Sequence, residues 1–162
     1  MLAKAKQSRI LAIDFGMARL GLALSDERHI IASRLATFPA SKKLEKTAEE
    51  LAAFLQKHQN EQSYTLETIV IGMPLMLSGK NSVLSNEVTL FAKLLGEKLS
   101  IPIVTWDERL TTVQAERSLK EGGHLSRKQR ARIVDEVSAV LLLQSFLDWR
   151  MLQHEREECK DM

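Results

Sequence analysis

One short stretch, residues 10–24, constrains the fold more than any other part of the chain. An apolar run ends in Asp14-Phe15-Gly16, and a second apolar run follows at residues 21–24. Two apolar runs separated by so few residues predict a buried strand, a tight connection and a neighbouring strand. Asp14 then lies at the rim of the sheet. A carboxylate there is costly unless a Lys, an Arg or a metal ion lies beside it.

The remaining pattern predicts three more strands and four helices. The strands are expected at 30–38, 68–72 and 103–107, and the helices at 44–58, 85–99, from 111 or 112 to 122, and 126–153. Short gaps favour antiparallel pairing of the first three strands. The last two strands follow helices, which places them parallel to the first strand and beside it. We therefore predict an α/β fold with a five-stranded mixed sheet flanked by helices.

Length and composition set broad limits on the kind of protein. A chain of 162 residues predicts one domain over 1–162, with a core at about 9–150 and a charged tail at 154–162 that frays. No apolar run approaches the roughly 20 residues that span a bilayer, and the first eight residues do not resemble a signal peptide. The single cysteine, Cys159, excludes an internal disulfide, so we expect a cytoplasmic protein without a membrane partner. The sequence leaves the oligomeric state open between a monomer and a weak homodimer.

Three acidic positions stand out from the solvated helix faces. Asp14 ends the first strand, Asp107-Glu108 ends the fifth, and Asp135 lies among apolar and small residues of the last helix. The C-terminal ends of the three parallel strands share one sheet edge, where such sheets bind ligands. If the last helix rests on that edge, the carboxylates converge. Oxygen ligands of this kind suit two Mg²⁺ or Mn²⁺ ions that act on a phosphodiester.

Each acidic residue also has an ordinary structural interpretation. Asp14 can be a turn residue, Asp135 can pair with Arg132, and Asp107-Glu108 can cap the next helix and pair with Arg109. Taken singly, these interpretations are as good as the catalytic one. Their joint occurrence at one predicted edge favours a metal site. Either member of the Asp107-Glu108 pair can be the ligand, because successive strand residues face opposite ways.

Four segments resemble one known family in order and at natural spacing. Asp14 to Ala23 is similar to a D-x-G-x-x-R-(I/L)-G-x-A opening, and Gly72-Met73-Pro74-Leu75 to a G-(L/M)-P-L loop. Asp107-Glu108-Arg109-Leu110-Thr111-Thr112 resembles a D-E-R-L-T-T signature, and Ile133-Val134-Asp135 resembles a closing helix. These are features of the YqgF family of Holliday-junction-resolvase-like proteins, also described as pre-16S rRNA nucleases. The resemblance covers about residues 9–150.

The resemblance implies an RNase H-like fold and metal-dependent cleavage of structured nucleic acid. It also implies 5′-end maturation of pre-16S ribosomal RNA, with branched DNA as the alternative substrate. Carried over by position, Asp14, Asp107, Glu108 and Asp135 become the catalytic and metal-binding residues. Met76 and Ser78 depart from the polar residues common in the family's loop. If this loop contacts the scissile phosphate, we expect the departure to change activity or substrate choice.

Basic residues cluster before and within the last helix, between Arg117 and Arg132. Such a cluster beside the acidic edge suits a phosphate backbone, although solvated helix ends are the simpler interpretation for any one side chain. The four histidines show no metal-binding spacing and are interpreted as structural or surface residues. The expected nucleic-acid-binding residues are Arg19, Arg109, Lys120, Arg127, Lys128, Arg130 and Arg132.

Two alternatives come from other functional classes. A D-x-G strand turn also opens the phosphate loop of actin-like and sugar-kinase-like nucleotide binders, but those proteins need two domains. A non-catalytic RNA-binding or ribosome-associated protein on the same fold is the other alternative, and the departures at Met76 and Ser78 support it. Hydrolysis of ATP without nucleic acid would favour the first, and metal-independent RNA binding without cleavage the second.

Overall fold

The computed structural model describes residues 6–16, 18–73, 83–107 and 127–161, with 83–84 and 127–136 described as helical backbone. The predicted loop at 75–82, the Glu108-Arg109 pair, Lys120 and the helix predicted up to residue 122 lie outside the described residues. None of the described helices is long and apolar enough to cross a membrane.

Five strands form one mixed sheet, as the sequence predicts. The strands are β1 (Gln7–Phe15), β2 (Arg19–Ser25), β3 (Ala32–Pro39), β4 (Tyr64–Met73) and β5 (Ile103–Asp107). Their order across the sheet is β3-β2-β1-β4-β5. β1 pairs antiparallel with β2 and parallel with β4, and β5 is parallel to β4. The predicted common edge of β1, β4 and β5 is confirmed, and β1 is the central strand.

The helices cover both faces of the sheet. In the described ranges they are α1 (Leu44–Gln62), α2 (Val83–Leu99) and α3 (Arg127–Lys160). α1 and α2 pack on one face against alternate strand residues such as Leu11, Ile13 and Ile71. α3 packs on the other face against the intervening residues, among them Ile10, Ala12 and Val70. Because β1 is buried on both faces, its apolar run is continuous rather than alternating.

Two predicted boundaries on either side of Ser63 are wrong. The segment predicted as a polar connection, residues 59–67, contains the end of α1 and the first four residues of β4. α1 ends where Ser63 adopts a left-handed backbone (φ 55°) and donates its N–H to the Gln59 carbonyl. Glycine usually takes this position, so the sequence carries no ordinary stop signal there.

The predictions for α3 need two corrections. The tail from residue 154 is helical up to Lys160 rather than frayed, because extending an existing helix needs no new nucleation. The buried stripe of α3 contains Ala139, Leu142, Leu143, Phe146 and Leu147. Of the apolar face predicted from the sequence, the structure buries Leu143 and Leu147, whereas Val137, Val140 and Leu141 flank the stripe half-buried.

Gln144 has a different role from the apolar one that its place in the predicted face suggests. Its side-chain amide donates to the Ile30 carbonyl (2.8 Å), and its amide oxygen accepts from the Ala32 N–H (3.0 Å). These hydrogen bonds join α3 to the beginning of β3. The amide satisfies backbone groups at the start of a strand, which explains a polar residue beside an apolar stripe.

Candidate active site

Asp14 lies at the C-terminal edge of β1 on the face that α3 covers. Side chains alternate along a strand, and Leu11, Ile13 and Phe15 belong to the core beneath α1 and α2. Ile10 and Ala12 belong to the core beneath α3. Asp14 continues this second series and is half-buried.

Glycines flank Asp14 in both neighbouring strands. Gly21 of β2 pairs directly with Asp14. On the other side, Ile13 pairs with Ile71, which places Gly72 next to Asp14 in β4. Since neither neighbour has a side chain, the sheet surface on both sides of the carboxylate is left open. A ligand held by Asp14 therefore meets little steric obstruction from the sheet.

Gly16 fixes the connection that follows Asp14. Its N–H donates to the Arg19 carbonyl at 3.0 Å. A Cβ atom at Gly16 would lie 2.6 Å from that same oxygen, well inside contact distance. The turn therefore requires glycine, which explains the glycine of the D-x-G motif and holds Asp14 at a fixed height on the edge.

Asp107 lies at the same edge as Asp14 but on the opposite face of the sheet. Trp106 packs on the α3 side, edge-on to Phe146 at 5.4 Å between ring centroids. Strand alternation then turns Asp107 to the side of Ile103, which packs beneath α2. Asp107 pairs with Met73, so about 10 Å of sheet separates it from β1. The structure brings Asp107 to the predicted edge but not to the face of Asp14.

Asp135 lies in the helical backbone of α3, just before the part of the helix that packs on the sheet. Asp135 comes one turn before Ala139, which is fully buried against the sheet. Ala139 packs in one cluster with Ala12 and Ala23, so small residues on both elements allow the helix to approach closely. Ser138 and Ala139 are both buried in this contact with the sheet.

Thr37 adds a polar atom to this face of the sheet. It pairs with Gly21, the residue that faces Asp14 from the other side. The Thr37 hydroxyl is buried and has no hydrogen-bond partner among the described residues. A buried hydroxyl without a partner carries a free-energy cost, which binding of a polar group on this face would relieve. No sequence signal pointed to Thr37.

The structure describes the predicted basic residues to different extents. Arg19 begins β2 at the same edge and, two residues from Gly21, on the same face as Asp14; it is exposed. Arg109 and Lys120 lie outside the described residues. The other four occupy the first two turns of α3, where the helix backbone alone is described: Arg127, Lys128, Arg130 and Arg132.

The residues at this edge suit a hard divalent cation. The described residues contain no cluster of three side chains that could hold a metal. Glu108 lies outside them, and Asp135 is described by its backbone alone, so the predicted four-carboxylate set is not tested. Asp14 supplies anionic oxygen, the donor that Mg²⁺ and Mn²⁺ prefer, and its glycine neighbours in the sheet place no side chain beside it.

A cleft of about 240 Å³ opens beside Gly16 on the opposite face of the sheet. Lys42 and Glu87 contribute charged groups to its lining, and Ser41 contributes a hydroxyl. The Ser41 N–H donates to the Thr47 hydroxyl (2.9 Å), which fixes the loop before α1. The sequence analysis missed these residues because they come from three separate segments without a recognisable motif.

A second polar cluster lies at the opposite edge of the sheet, where β1 and β4 begin. Arg150 of α3 donates to the Glu67 carboxylate, and His29 lies 3.5 Å from the same group. Ser8 also donates to Glu67 at 3.3 Å. Burial works to raise the pKa of Glu67, but the hydrogen bond and charge of Arg150, with His29 and Ser8, outweigh it and lower that pKa.

His29 and His58 make contacts that hold the structure together, which agrees with the interpretation of the histidines as structural or surface residues. The His29 ring interacts with the Ser8 carbonyl at 3.1 Å. His58 Nδ1 lies 2.7 Å from the hydroxyl of Tyr64, a fully buried ring at the start of β4. Burial raises the pKa of Tyr64 to about 12, so this phenol stays neutral at physiological pH.

Known proteins with similar sequences cover nearly the whole chain. A family model described as RuvX, Holliday junction resolvase, matches residues 8–149. A relative from Protochlamydia amoebophila, named "putative pre-16S rRNA nuclease", is 54% identical over 147 residues, which cover 91% of this chain and 97% of the relative. A relative of the same name from Koribacter versatilis is 42% identical over 152 residues, covering 93% and 94%.

Solved structures show the same fold at low sequence identity. The RuvC protein of T. thermophilus, in complex with a Holliday junction substrate, superposes with a TM-score of 0.53 at 13% identity. The match covers 89% of this chain and 96% of RuvC. This likeness, together with the strand order and the helices on both faces, confirms the predicted RNase H-like fold. With residues 8–149 matched by the family model, the chain belongs to the RuvX family.

Proposed function

We propose that this protein is a metal-dependent nuclease that hydrolyses phosphodiester bonds of structured nucleic acid, with pre-16S ribosomal RNA as its substrate in 5′-end processing. The observation that carries the proposal is the position of Asp14 between two glycines, beneath the helix that carries Asp135. The names of the relatives support the substrate. Metal-dependent hydrolysis of a phosphodiester needs anionic oxygen to hold the metal, and the carboxylate of Asp14 supports this requirement.

The proposed metal ligands are Asp14, Asp135 and one member of the Asp107-Glu108 pair. Two Mg²⁺ or Mn²⁺ ions bound there would activate a water molecule and stabilise the leaving oxygen of a phosphodiester. The chain's own contribution is positional. Gly16 fixes the end of β1, and the packing of Ala139 on Ala12 fixes the height of α3 above it.

Within the pair, we assign the metal-binding role to Glu108 rather than Asp107. Asp107 lies on the sheet face opposite to Asp14, because Trp106 occupies the α3 side. Two carboxylates on opposite faces of the sheet cannot bind the same cation. Asp107 is therefore assigned a structural role at the strand end.

The basic residues are proposed to hold the phosphate backbone of the substrate. Arg19 is suited to this role because it is exposed on the face and edge of Asp14. The basic first turns of α3 lie on the helix that carries Asp135, so a backbone at the carboxylates would also meet these charges. The full proposed set is Arg19, Arg109, Lys120, Arg127, Lys128, Arg130 and Arg132.

Holliday-junction cleavage is the second candidate function. The description of the matching family model favours it. Precursor ribosomal RNA and four-way DNA should therefore be incubated side by side, each with Mg²⁺, with Mn²⁺ and with a chelator. Cleavage of the RNA at its 5′ end with DNA left intact supports the first candidate, and the reverse result supports the second. ATP hydrolysis that does not need nucleic acid would contradict both.

The first prediction is that Asp14→Asn lowers cleavage by more than about 100-fold, since it removes an anionic ligand while keeping the shape of the side chain. Glu50→Gln is the matched control, because it neutralises an exposed carboxylate on α1 and should leave the rate unchanged. Both variants should keep the circular dichroism of the natural chain. Full activity in Asp14→Asn would refute the assigned site.

A further inference from the structure

We propose that a basic cleft at the opposite end of the sheet from Asp14 is a second phosphate-binding site, which holds the backbone of the nucleic acid substrate. The cleft has a volume of about 250 Å³ and lies between the β2–β3 turn and the C-terminal half of α3. The proposal rests on the proposed function for the identity of its substrate. It adds a contact that lies far from the reacting bond.

Four basic side chains converge on this cleft from two separate elements. Arg28 and His29 come from the β2–β3 turn, and Arg150 and His154 come from successive turns of α3. Leu147 and Met151 form its apolar part, and no carboxylate is found in its described lining. Its volume is below the roughly 300 Å³ at which ordinary small-molecule pockets begin. The cleft suits one phosphate group better than a whole nucleotide.

The turn that carries Arg28 is fixed before any ligand arrives. The Asp26 carboxylate accepts from the N–H groups of Ile30 (2.8 Å) and Ile31 (3.0 Å). His29 adopts a left-handed backbone (φ 58°), held by its ring contact with Ser8 and by donation of its N–H to the Asp26 carbonyl. A turn held at both ends presents Arg28 with little loss of conformational entropy on binding.

The cleft carries more positive than negative charge. Glu67 is not part of the lining, but its carboxylate accepts a hydrogen bond from Arg150 and lies 3.5 Å from the His29 ring. Glu27, the acidic residue next to Arg28, lies 3.7 Å from Arg9. Arg28 itself has no ion pair with any residue in the described ranges. An excess positive charge in a concave surface attracts phosphate more strongly than the same charge on a flat one.

The cleft lies on the same face of the sheet as Asp14. Ser8 touches His29 at one end of β1 and Asp14 lies at the other, six residues along the strand, or about 20 Å. The helix gives a similar length, because 15 residues from Asp135 to Arg150 rise about 22 Å. One strand of a B-form DNA duplex places a phosphate about every 3.4 Å along the helix axis, and A-form RNA rises less per base pair. A duplex held at both sites therefore extends at least about six base pairs from the scissile bond.

The test measures the binding of hairpin RNAs in the presence of a chelator, so that binding is read without cleavage. Arg28→Glu should weaken the binding of a long stem about tenfold or more and lower the slope of log affinity against log salt by about one. Lys57→Glu is the matched control, since it makes the same charge change on exposed α1 and should have little effect. His154→Ala should weaken binding in the same direction as Arg28→Glu.

Stem length and free phosphate separate the possible outcomes. Stems shorter than about six base pairs cannot reach both sites, so Arg28→Glu should weaken their binding much less than that of long stems. Inorganic phosphate should shift the resonances of His154 in the natural chain and not in Arg28→Glu. If phosphate binds but long RNA binds Arg28→Glu normally, the cleft takes free phosphate and the backbone contact is refuted. If neither ligand responds to the variant, the site itself is refuted.

The nuclease proposal and the second phosphate-binding site can each be refuted without refuting the other. If Arg28→Glu loses the extra affinity for long stems, the second site is supported even when no condition produces cleavage. Cleavage that depends on Asp14, with equal affinity of all variants for long RNA, would support the nuclease and overturn the second site.

Discussion

Asp14 and Gly16 show how two residues can define one end of a strand. The carboxylate is useful because both of its neighbours in the sheet are glycines, and the glycine after it is required by the Arg19 carbonyl. The D-x-G spacing made the turn predictable from sequence. The flanking positions of Gly21 and Gly72 were not predictable, since they depend on the register between three strands.

Gly16→Ala should destabilise the fold by about 1–3 kcal/mol, because a Cβ 2.6 Å from the Arg19 carbonyl forces the backbone of the turn to move. The free energy of unfolding in urea measures this effect. Gly96→Ala is the control: its Cβ would meet the flexible end of Ile103 at 3.4 Å, and alanine is the better helix former. Equal loss of stability in both variants would contradict the assigned role of Gly16.

The assignment of Glu108 over Asp107 is also testable at single residues. Glu108→Gln should lower metal-dependent cleavage by more than about 100-fold, as expected for loss of a ligand. Asp107→Asn should keep most of the activity, because Asp107 lies on the face of Ile103. Cleavage rates at several Mn²⁺ concentrations measure both effects. A variant of Asp107 that loses activity and is rescued by added Mn²⁺ would reverse the assignment.

The elements were easier to predict than their ends. β5 was predicted at its observed residues because a proline precedes a clear apolar run. The beginning of β4 was missed, although Tyr64 and Leu66 are buried and Thr65 is exposed, as strand alternation requires. Polar residues on its outer side hid this pattern. The face of α3 was partly wrong because Leu141, Leu142 and Leu143 are adjacent, so the sequence alone allows several stripes.

The contact between α3 and β5 should depend strongly on one aromatic residue. Phe146 is 5% exposed and packs edge-on to Trp106. Phe146→Ala should therefore lower the free energy of unfolding by about 3–5 kcal/mol, through lost burial and the cavity that remains. Leu152→Ala, on the same helix but 54% exposed, should change it by less than about 0.5 kcal/mol. Chemical denaturation of both variants measures the difference, and since alanine is the best helix former, a loss in Phe146→Ala reports lost packing.

At the scale of the whole molecule, α3 links the two ends of the sheet. Its N-terminal half carries Asp135 and its C-terminal half holds Glu67 through Arg150. The sequence predicted the overall topology because short gaps and intervening helices allow few alternatives. It did not predict the Ser8, His29, Glu67 and Arg150 cluster, whose members lie up to 142 positions apart and share no motif.

Glu67 gives this long-range cluster a pH dependence. Its pKa is lowered in the fold from 4.5, so the carboxylate stabilises the native state at pH values above 4.5. That stability is lost as pH falls through the lowered pKa, because the folded state must then take up the proton at a cost. Glu67→Gln should therefore reduce stability near neutral pH and flatten its decline below pH 4.5. Thermal unfolding across this range measures the difference, and parallel curves for both chains would contradict it.

The central position of β1 has a consequence for how the protein loses activity. Strand β1 is hydrogen-bonded on both sides, whereas β5 is bonded on one side within the described sheet. Backbone amides around Asp14 should be among the last to exchange with solvent deuterium, while those of β5 open more often by local unfolding. One proposed ligand thus lies in a strand paired on both sides, and its partner Glu108 follows a strand paired on one side within the described sheet, so mild heating should separate the two before the molecule as a whole unfolds.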